Sequence, residues 1–217
     1  MNDVQLESKQ LGMILKGTTT VGVVCNDGVI MATDTRATAG YFVAHKQAKK
    51  VFPIDNHVAM TIAGLVADCQ AMHEILKANA NLFRLERGTP MPVSAVARLA
   101  ANILFYSRGA PLQMQAIVGG FDSTGPRMFA LDPFGTVTEE TCFSTGSGSP
   151  IAIGVLESDF KEGASTDEAL PVVVRAVSSA MSRDIGTGDS FDVATVSKDG
   201  YREFSTEEKE TLLKESV

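Results

Sequence analysis

A threonine hydroxyl is a poor nucleophile unless a base stands beside it, and a threonine at a chain N-terminus carries such a base on its own Cα. The run Gly17-Thr18-Thr19-Thr20-Val21-Gly22 holds a threonine that could be used this way if the seventeen residues before it were removed. The freed α-amine would have a pKa of about 7.7–8.0, so a useful fraction would be neutral at working pH and able to take the hydroxyl proton. Gly17 suits a cleavage point, because without a Cβ it leaves the carbonyl open to Thr18 Oγ and tolerates a tight conformation. Read alone, the triplet is more simply three β-branched strand residues. What accompanies it has to decide.

Other chemistries find no support. The chain contains no G-x-G-x-x-G, no G-x-x-x-x-G-K-[ST], no H-E-x-x-H and no G-x-S-x-G, so dinucleotide, phosphate-loop, zincin and α/β-hydrolase readings have no motif. His45, His57 and His73 lack cysteine or carboxylate partners at ligand spacing. Cys25, Cys69 and Cys142 are distant and odd in number, which excludes a closed disulfide framework and any C-x-x-C pair. They read as buried free thiols in a reducing compartment. No metal or cofactor is expected.

The elements that must position this threonine follow from periodicity. Met1 to Gly17 lacks helical or strand periodicity beyond the run Met13-Ile14-Leu15 and reads as a removable leader. Strands are predicted at 18–24 and 29–33 around an Asn26-Asp27-Gly28 turn, then at 50–54 and 58–62. From Leu65 the apolar spacing changes to three and four residues, predicting a helix of about six turns that ends at Arg87-Gly88. A second helix is predicted from Pro92 to Arg108. Strands return at 113–118, 128–131 and 136–141, followed by the turn Ser144-Thr145-Gly146-Ser147-Gly148-Ser149-Pro150. A short helix over 151–158 comes next, and a longer one to about Arg183 opens on the capping-box sequence Ser165-Thr166-Asp167-Glu168. Strands at 191–197 and 201–204 and a helix capped at Ser205 close the chain. Strands in runs and helices in pairs predict an α+β fold: a four-layer αββα sandwich of two antiparallel sheets with helices outside each.

The bulk properties agree with one domain, residues 18–217, after the leader. The chain has 217 residues, 44% hydrophobic and 21% charged, and a net charge of −7, which gives no electrostatic reason to expect nucleic acid or an anionic membrane as partner. No apolar run reaches the ~18 residues that span a bilayer, and the first seventeen residues do not read as a secretory signal. A cytoplasmic protein is expected.

The Gly17 to Gly22 run resembles the start of mature proteasome β subunits of the archaeal type, in the N-terminal-nucleophile hydrolase superfamily. The likeness continues through Ala32-Thr33-Asp34-Thr35-Arg36, His45-Lys46-Gln47-Ala48-Lys49-Lys50, Met60-Thr61-Ile62-Ala63-Gly64 and Val118-Gly119-Gly120-Phe121-Asp122. Further on it includes Thr145-Gly146-Ser147-Gly148-Ser149-Pro150, Gly154-Val155-Leu156-Glu157, Arg183-Asp184 and Asp192-Val193-Ala194. It covers Thr18 to about Phe204, with several motifs in the right order.

The resemblance implies Thr18 as nucleophile after autocatalytic cleavage at Gly17-Thr18, with its freed amine as general base. Lys50 and Asp34 would stand beside it as a charge pair: an ammonium lowers the proton affinity of the hydroxyl, and a carboxylate keeps a buried lysine charged. Lys49-Lys50 could otherwise be a solvated strand edge, and at most one of the two should reach the site, since adjacent strand residues face opposite ways. The resemblance selects Lys50. It further implies the Gly64 N–H as oxyanion donor, Ser147 as a supporting hydroxyl, and Asp184 as the carboxylate that holds Thr18 in place. Thr187 stands where the family usually has serine, with an added methyl beside the same kind of hydroxyl. An extended substrate would pair with the backbone at Thr38 and Gly64. Its side chain would enter a pocket of Ala37, Ala48, Phe52, Ile62 and Val66 that disfavours charge; Phe52, Ile62 and Val66 could equally be core residues.

The implied protein is a threonine-type endopeptidase, a catalytic β subunit of a 20S proteasome that degrades unfolded polypeptides. Its implied partners are α subunits and other β subunits in stacked seven-membered rings and an unfolding ATPase. A ring subunit without activity would be expected to lack Thr18, Asp34 or Lys50. The bacterial two-ring protease of the same superfamily fits the 146–150 turn and the 60–64 run less well.

Overall fold

The structure, a computed structural model, describes residues 17–215, so of the expected leader only Gly17 falls within it and the Met13-Ile14-Leu15 run lies outside. The β-branched run after Gly17 forms β1 (Thr19–Val24). The turn at Asn26-Asp27 returns the chain into β2 (Gly28–Asp34), with Thr20 opposite Thr33 and Val24 opposite Val29. The chain continues through β3 (Ala37–Ala39), β4 (Phe42–His45), β5 (Val51–Asp55) and β6 (Val58–Gly64) to two helices, α1 (Val66–Arg87) and α2 (Val93–Tyr106). Strands β7 (Met114–Asp122), β8 (Gly125–Leu131), β9 (Val137–Glu139) and β10 (Cys142–Gly146) precede α3 (Ser149–Asp159) and α4 (Thr166–Arg183). The described chain closes with β11 (Phe191–Ser197), β12 (Gly200–Glu203) and α5 (Thr206–Glu215).

Two five-stranded antiparallel sheets result, one ordered β10-β1-β2-β11-β12 and the other β5-β6-β7-β8-β9. The period-two alternation along β2 explains how they stack. Ile30 and Ala32 face α3 and α4, while Val29 and Met31 face Val51, Ala59, Ile117 and Met128 of the second sheet. That second sheet covers its other face with α1 and α2, which bury Cys69, Met72, Leu76 and Ala80 at helical spacing from the first and Val93, Val96, Ala97 and Leu104 from the other. The layers are helix, sheet, sheet, helix, as the sequence predicts. The capping box at Ser165 is formed in both directions: the Glu168 N–H donates to Ser165 Oγ, and the Ser165 N–H donates to Glu168.

Two elements differ from expectation. The strand predicted at 136–141 shortens to β9, which ends at Glu139 on the edge of one sheet, and residues 142–146, the last three of them expected in the Gly/Ser-rich turn, form β10 on the edge of the other. The backbone hands over between them, the Glu140 N–H donating to Met128 O and Thr141 O accepting from Val24 N–H. The second difference is the hairpin β3–β4, which lies outside both sheets and was not predicted because its residues are mostly exposed and carry no apolar alternation.

Register gathers the expected site residues at one end of the sandwich. The start of β1 lies beside the end of β2 and the end of β10, Thr19 opposite Gly146, while β11 begins opposite Asp34. In the other sheet β5 begins just after Lys50, and β6 ends at Gly64 opposite Met114.

Candidate active site

Asp34 ends β2 with its carboxylate fully buried, and four donors converge on it. Oδ1 accepts from the Thr19 N–H at 3.0 Å and from Lys50 Nζ at 2.7 Å. Oδ2 accepts from the Arg36 N–H at 3.0 Å and the Gly188 N–H at 3.1 Å. Such saturation is what a buried carboxylate requires. Lys50 Nζ spends its three donors on Asp34, on Arg36 O at 2.6 Å and on Thr18 Oγ1 at 3.1 Å. Burial pushes the Lys50 ammonium below the ordinary lysine range, against the pull of Asp34, because a charge taken out of water is disfavoured. The same burial pushes the Asp34 carboxyl above the ordinary carboxylate range, with Lys50 and the backbone donors opposing. Adjacent Lys49, which also borders the site, gives its ammonium to Glu203 at 2.6 Å.

Thr18 Oγ1 donates to Gly17 O at 2.6 Å, so the hydroxyl lies against the carbonyl that precedes it. On its other side the Thr18 N–H donates to Ser147 Oγ at 3.3 Å, and Ser147 Oγ donates to Asp184 Oδ2 at 2.5 Å. Asp184 is the C-cap of α4. Its Oδ2 also accepts from Thr187 Oγ1 at 2.5 Å, and its Oδ1 accepts from the Gly186 N–H at 3.2 Å. Thr187 is fully buried. With its one proton given to Asp184, it must accept from Thr19 Oγ1 at 2.8 Å, so a hydroxyl chain runs Thr19 to Thr187 to Asp184. The added methyl of Thr187 thus leaves both hydrogen bonds of its hydroxyl in place.

Six of the seven residues expected to carry catalysis, Thr18, Asp34, Lys50, Ser147, Asp184 and Thr187, are joined by these hydrogen bonds. Gly64 borders the same space: a cavity of about 80 Å³ is lined by Gly17, Thr18 and Gly64 together with Ala37, Thr38, Ala48, Phe52, Ile62 and Val66, the whole expected binding set. Phe52 and Ile62 also pack on the α1–α2 core, so they border the cavity and the core at once. At Gly64 φ is +136° and a Cβ would fall 2.2 Å from Gln113 O, a backbone place only glycine fills. At Gly17 and Gly186 the two backbones meet so closely that a Cβ on Gly17 would lie 1.9 Å from Gly186 Cα. The Gly17 N–H donates to Thr38 Oγ1 at 3.1 Å, which ties the residue before the candidate nucleophile to β3.

Sequence reasoning missed three contributors. Arg36 gives Asp34 its N–H and Lys50 its carbonyl, Gly188 gives Asp34 its N–H, and Thr19 does so as well while its hydroxyl supports Thr187. Main-chain donors carry no side-chain signature, though Arg36 and Thr19 stood inside the motifs singled out. Among the described residues no cluster of three or more His, Cys, Asp and Glu is arranged to hold a metal ion, and no helix is long and apolar enough to cross a membrane.

A family model described as Proteasome subunit matches residues 14–196 of the chain. A proteasome subunit beta of Methanothermobacter thermautotrophicus is 48% identical over 195 residues, covering 89% of this chain and 93% of that protein. One of Methanocaldococcus jannaschii is 46% identical over 202 residues, covering 92% and 90%. A proteasome subunit beta 2 of Nitrosopumilus maritimus is 42% identical over 200 residues, covering 92% and 95%.

Proposed function

The chain belongs to the proteasome subunit family, as a beta subunit of the archaeal kind, and from that premise we propose that it is a threonine-type endopeptidase whose nucleophile is Thr18. The observation that carries this reading is the placement of Thr18 Oγ1, 2.6 Å from Gly17 O and 3.1 Å from a buried lysine already paired with Asp34.

Two reactions share the site. In the first, Thr18 Oγ attacks the Gly17 carbonyl carbon while the neutral form of Lys50 takes the hydroxyl proton. The C–N bond breaks as the proton held by Lys50 passes to the Thr18 nitrogen, leaving residues 1–17 as an ester on Thr18 Oγ and a free amine on Thr18. Water then hydrolyses that ester and releases the leader. In the second, the new amine, held by Ser147 Oγ, takes the hydroxyl proton as Oγ attacks a substrate carbonyl. The amine then protonates the departing peptide nitrogen, and water cleaves the acyl ester. The lowered proton affinity of Lys50 suits the first step, and its charged form beside the hydroxyl suits the second. Gly64 would supply an N–H to the oxyanion in both.

The apolar walls at Ala48, Phe52, Ile62 and Val66 favour an uncharged, apolar side chain before the cleaved bond, since a charge would be desolvated there and the two cations that also line the cavity, Lys49 and Lys50, are already paired with Glu203 and Asp34. The assembly we propose is the stacked-ring core particle in the cytoplasm, with β rings between α rings, fed unfolded polypeptide by an ATPase. The test is hydrolysis of fluorogenic peptides by that particle. Leucine or tyrosine before the reporter should be cut faster than aspartate or lysine, and a chain begun at residue 18 with Thr18→Ala should lose at least ~10³-fold in rate. Undiminished hydrolysis by that variant would remove the reading.

A further inference from the structure

Among the described residues Asp189 is the one non-glycine residue with positive φ, at +65°. The left-handed conformation is disfavoured for residues with a Cβ, and aspartate and asparagine tolerate it best. Something must hold the loop there. Asp189 Oδ2 accepts from Arg36 Nε at 2.9 Å, and a guanidinium N–H of Arg36 donates to Ile185 O at 3.0 Å. One side chain, just beyond the end of β2, therefore grips both ends of the 185–189 segment that leads into the neighbouring strand β11. Between these anchors the guanidinium lies so close to the backbone that a Cβ on Gly188 would stand 2.5 Å from its central carbon.

The gripped loop delivers the Gly188 N–H to Asp34 Oδ2, and it includes Thr187 and Gly186, which bond Asp184. The main chain of the gripping residue serves the same pair from the other side, its N–H on Asp34 and its carbonyl on Lys50. We propose that Asp189 is a positioning residue of this site: by fixing the Arg36 guanidinium and its own left-handed backbone, it straps the 185–189 loop onto the end of β2 and keeps the Gly188 N–H on the Asp34 carboxylate. The inference rests on the peptidase reading above for its kinetic consequence, and on geometry alone for its structural one.

The charged neighbours set the sign of the pH effect. Asp189 faces Arg36 and, at longer range, Lys46. Asp34 faces Lys50, and Lys50 faces Asp34, Arg36 and Asp184. The Gly188 N–H is one of the donors that oppose the upward push of burial on Asp34. Its loss lets the carboxyl hold its proton to higher pH, and the acidic limb of the kcat/KM profile moves upward.

The experiment compares Asp189→Ala, Asp189→Gly and Asp189→Asn in the assembled particle. Alanine removes the acceptor and disfavours the backbone; glycine removes only the acceptor; asparagine keeps an acceptor oxygen and tolerates the conformation. For Asp189→Ala kcat should fall roughly tenfold, the scale of one charge-assisted hydrogen bond. KM should change less than about twofold, and the acidic limb should shift upward. The glycine variant should fall between the other two, and the asparagine variant should recover most of the loss. Backbone amide exchange over residues 185–190, read by mass spectrometry, should accelerate in the alanine variant and stay slow in the asparagine one. If the wild-type particle cleaves no peptide, the function fails and the exchange data decide the strap alone. Equal exchange in the alanine variant and the wild type, or a rise in KM with kcat and the pH profile unmoved, overturns the proposal.

Discussion

Replacing Asp34 by asparagine should be far more damaging than the loss of one charge on a surface. Each carboxylate oxygen takes two donors, Lys50 Nζ and the Thr19 N–H on Oδ1, and the Arg36 and Gly188 N–H groups on Oδ2. An amide has to turn its NH₂ toward one of these pairs, so two buried donors lose their acceptor and confront another donor. A buried donor left unsatisfied costs about 1–3 kcal/mol, and a buried ammonium without its anion about 3–5 kcal/mol. The two penalties overlap, so the expected total is about 3–5 kcal/mol, which for a chain of this size lowers Tm by about 6–20 °C. Thermal unfolding should be measured with Thr18→Ala in both chains, so that neither is cut during the scan. The sign of its pH dependence is fixed: the defect shrinks as pH rises, because Lys50 without its anion sheds its proton more readily and the unpaired charge disappears. In the Thr18 chain the same change should slow release of the leader by about 10²–10⁴-fold, the scale of a misplaced general base. A variant within 1 kcal/mol of its parent that also releases its leader at the normal rate would refute the assignment of Asp34 as the hub.

Gly17→Ala should slow release of the leader by at least ~10-fold, because its Cβ would fall 1.9 Å from the Gly186 backbone; mass spectrometry over time follows the precursor. Burial holds Lys50 below its ordinary 10.5, so the neutral fraction able to take the Thr18 proton grows across pH 6–9 and self-cleavage should accelerate with pH. A rate that falls over that range would count against Lys50 as the base. The Cys25 thiol is pushed up to about 12 and the Cys142 thiol to about 11, chiefly by burial. Both should resist a thiol-exchange reagent at pH 8 in the native protein and react once it is unfolded, as absorbance of the released reagent would report.

How much of this was legible in the sequence depends on the range of the interaction. Elements that declare themselves locally were readable: α1 from its three- and four-residue apolar steps, α4 from Ser165 and Glu168, and the β1–β2 turn from Asn26-Asp27-Gly28. Strand β10 was not, because residues 144–146 belong to a Gly/Ser-rich run that reads locally as a turn, and only pairing with β1 makes them a strand. In the site, Thr18 was open to a chemical reading after Gly17, but alone it read more simply as a strand residue, and the motifs that follow it decided between the two. Ser147, Asp184 and Thr187, taken alone, are turn and helix-end residues, and only the resemblance gave them roles. Their partners lie far along the chain, 129 residues apart for Thr18 and Ser147 and 168 for Thr19 and Thr187. Arg36 shows the limit most plainly. Its contribution comes from its backbone atoms and from a guanidinium reaching a loop about 150 residues away, and no local pattern encodes either.

The most direct trial of the whole account is the intact mass of the chain within the assembled particle, for the wild type and for Thr18→Ala. If the Thr18 hydroxyl itself opens the Gly17–Thr18 bond, the wild-type mass corresponds to a chain beginning at Thr18 and the variant keeps every residue of its leader. A variant trimmed at the same bond would show that some other group makes the cut.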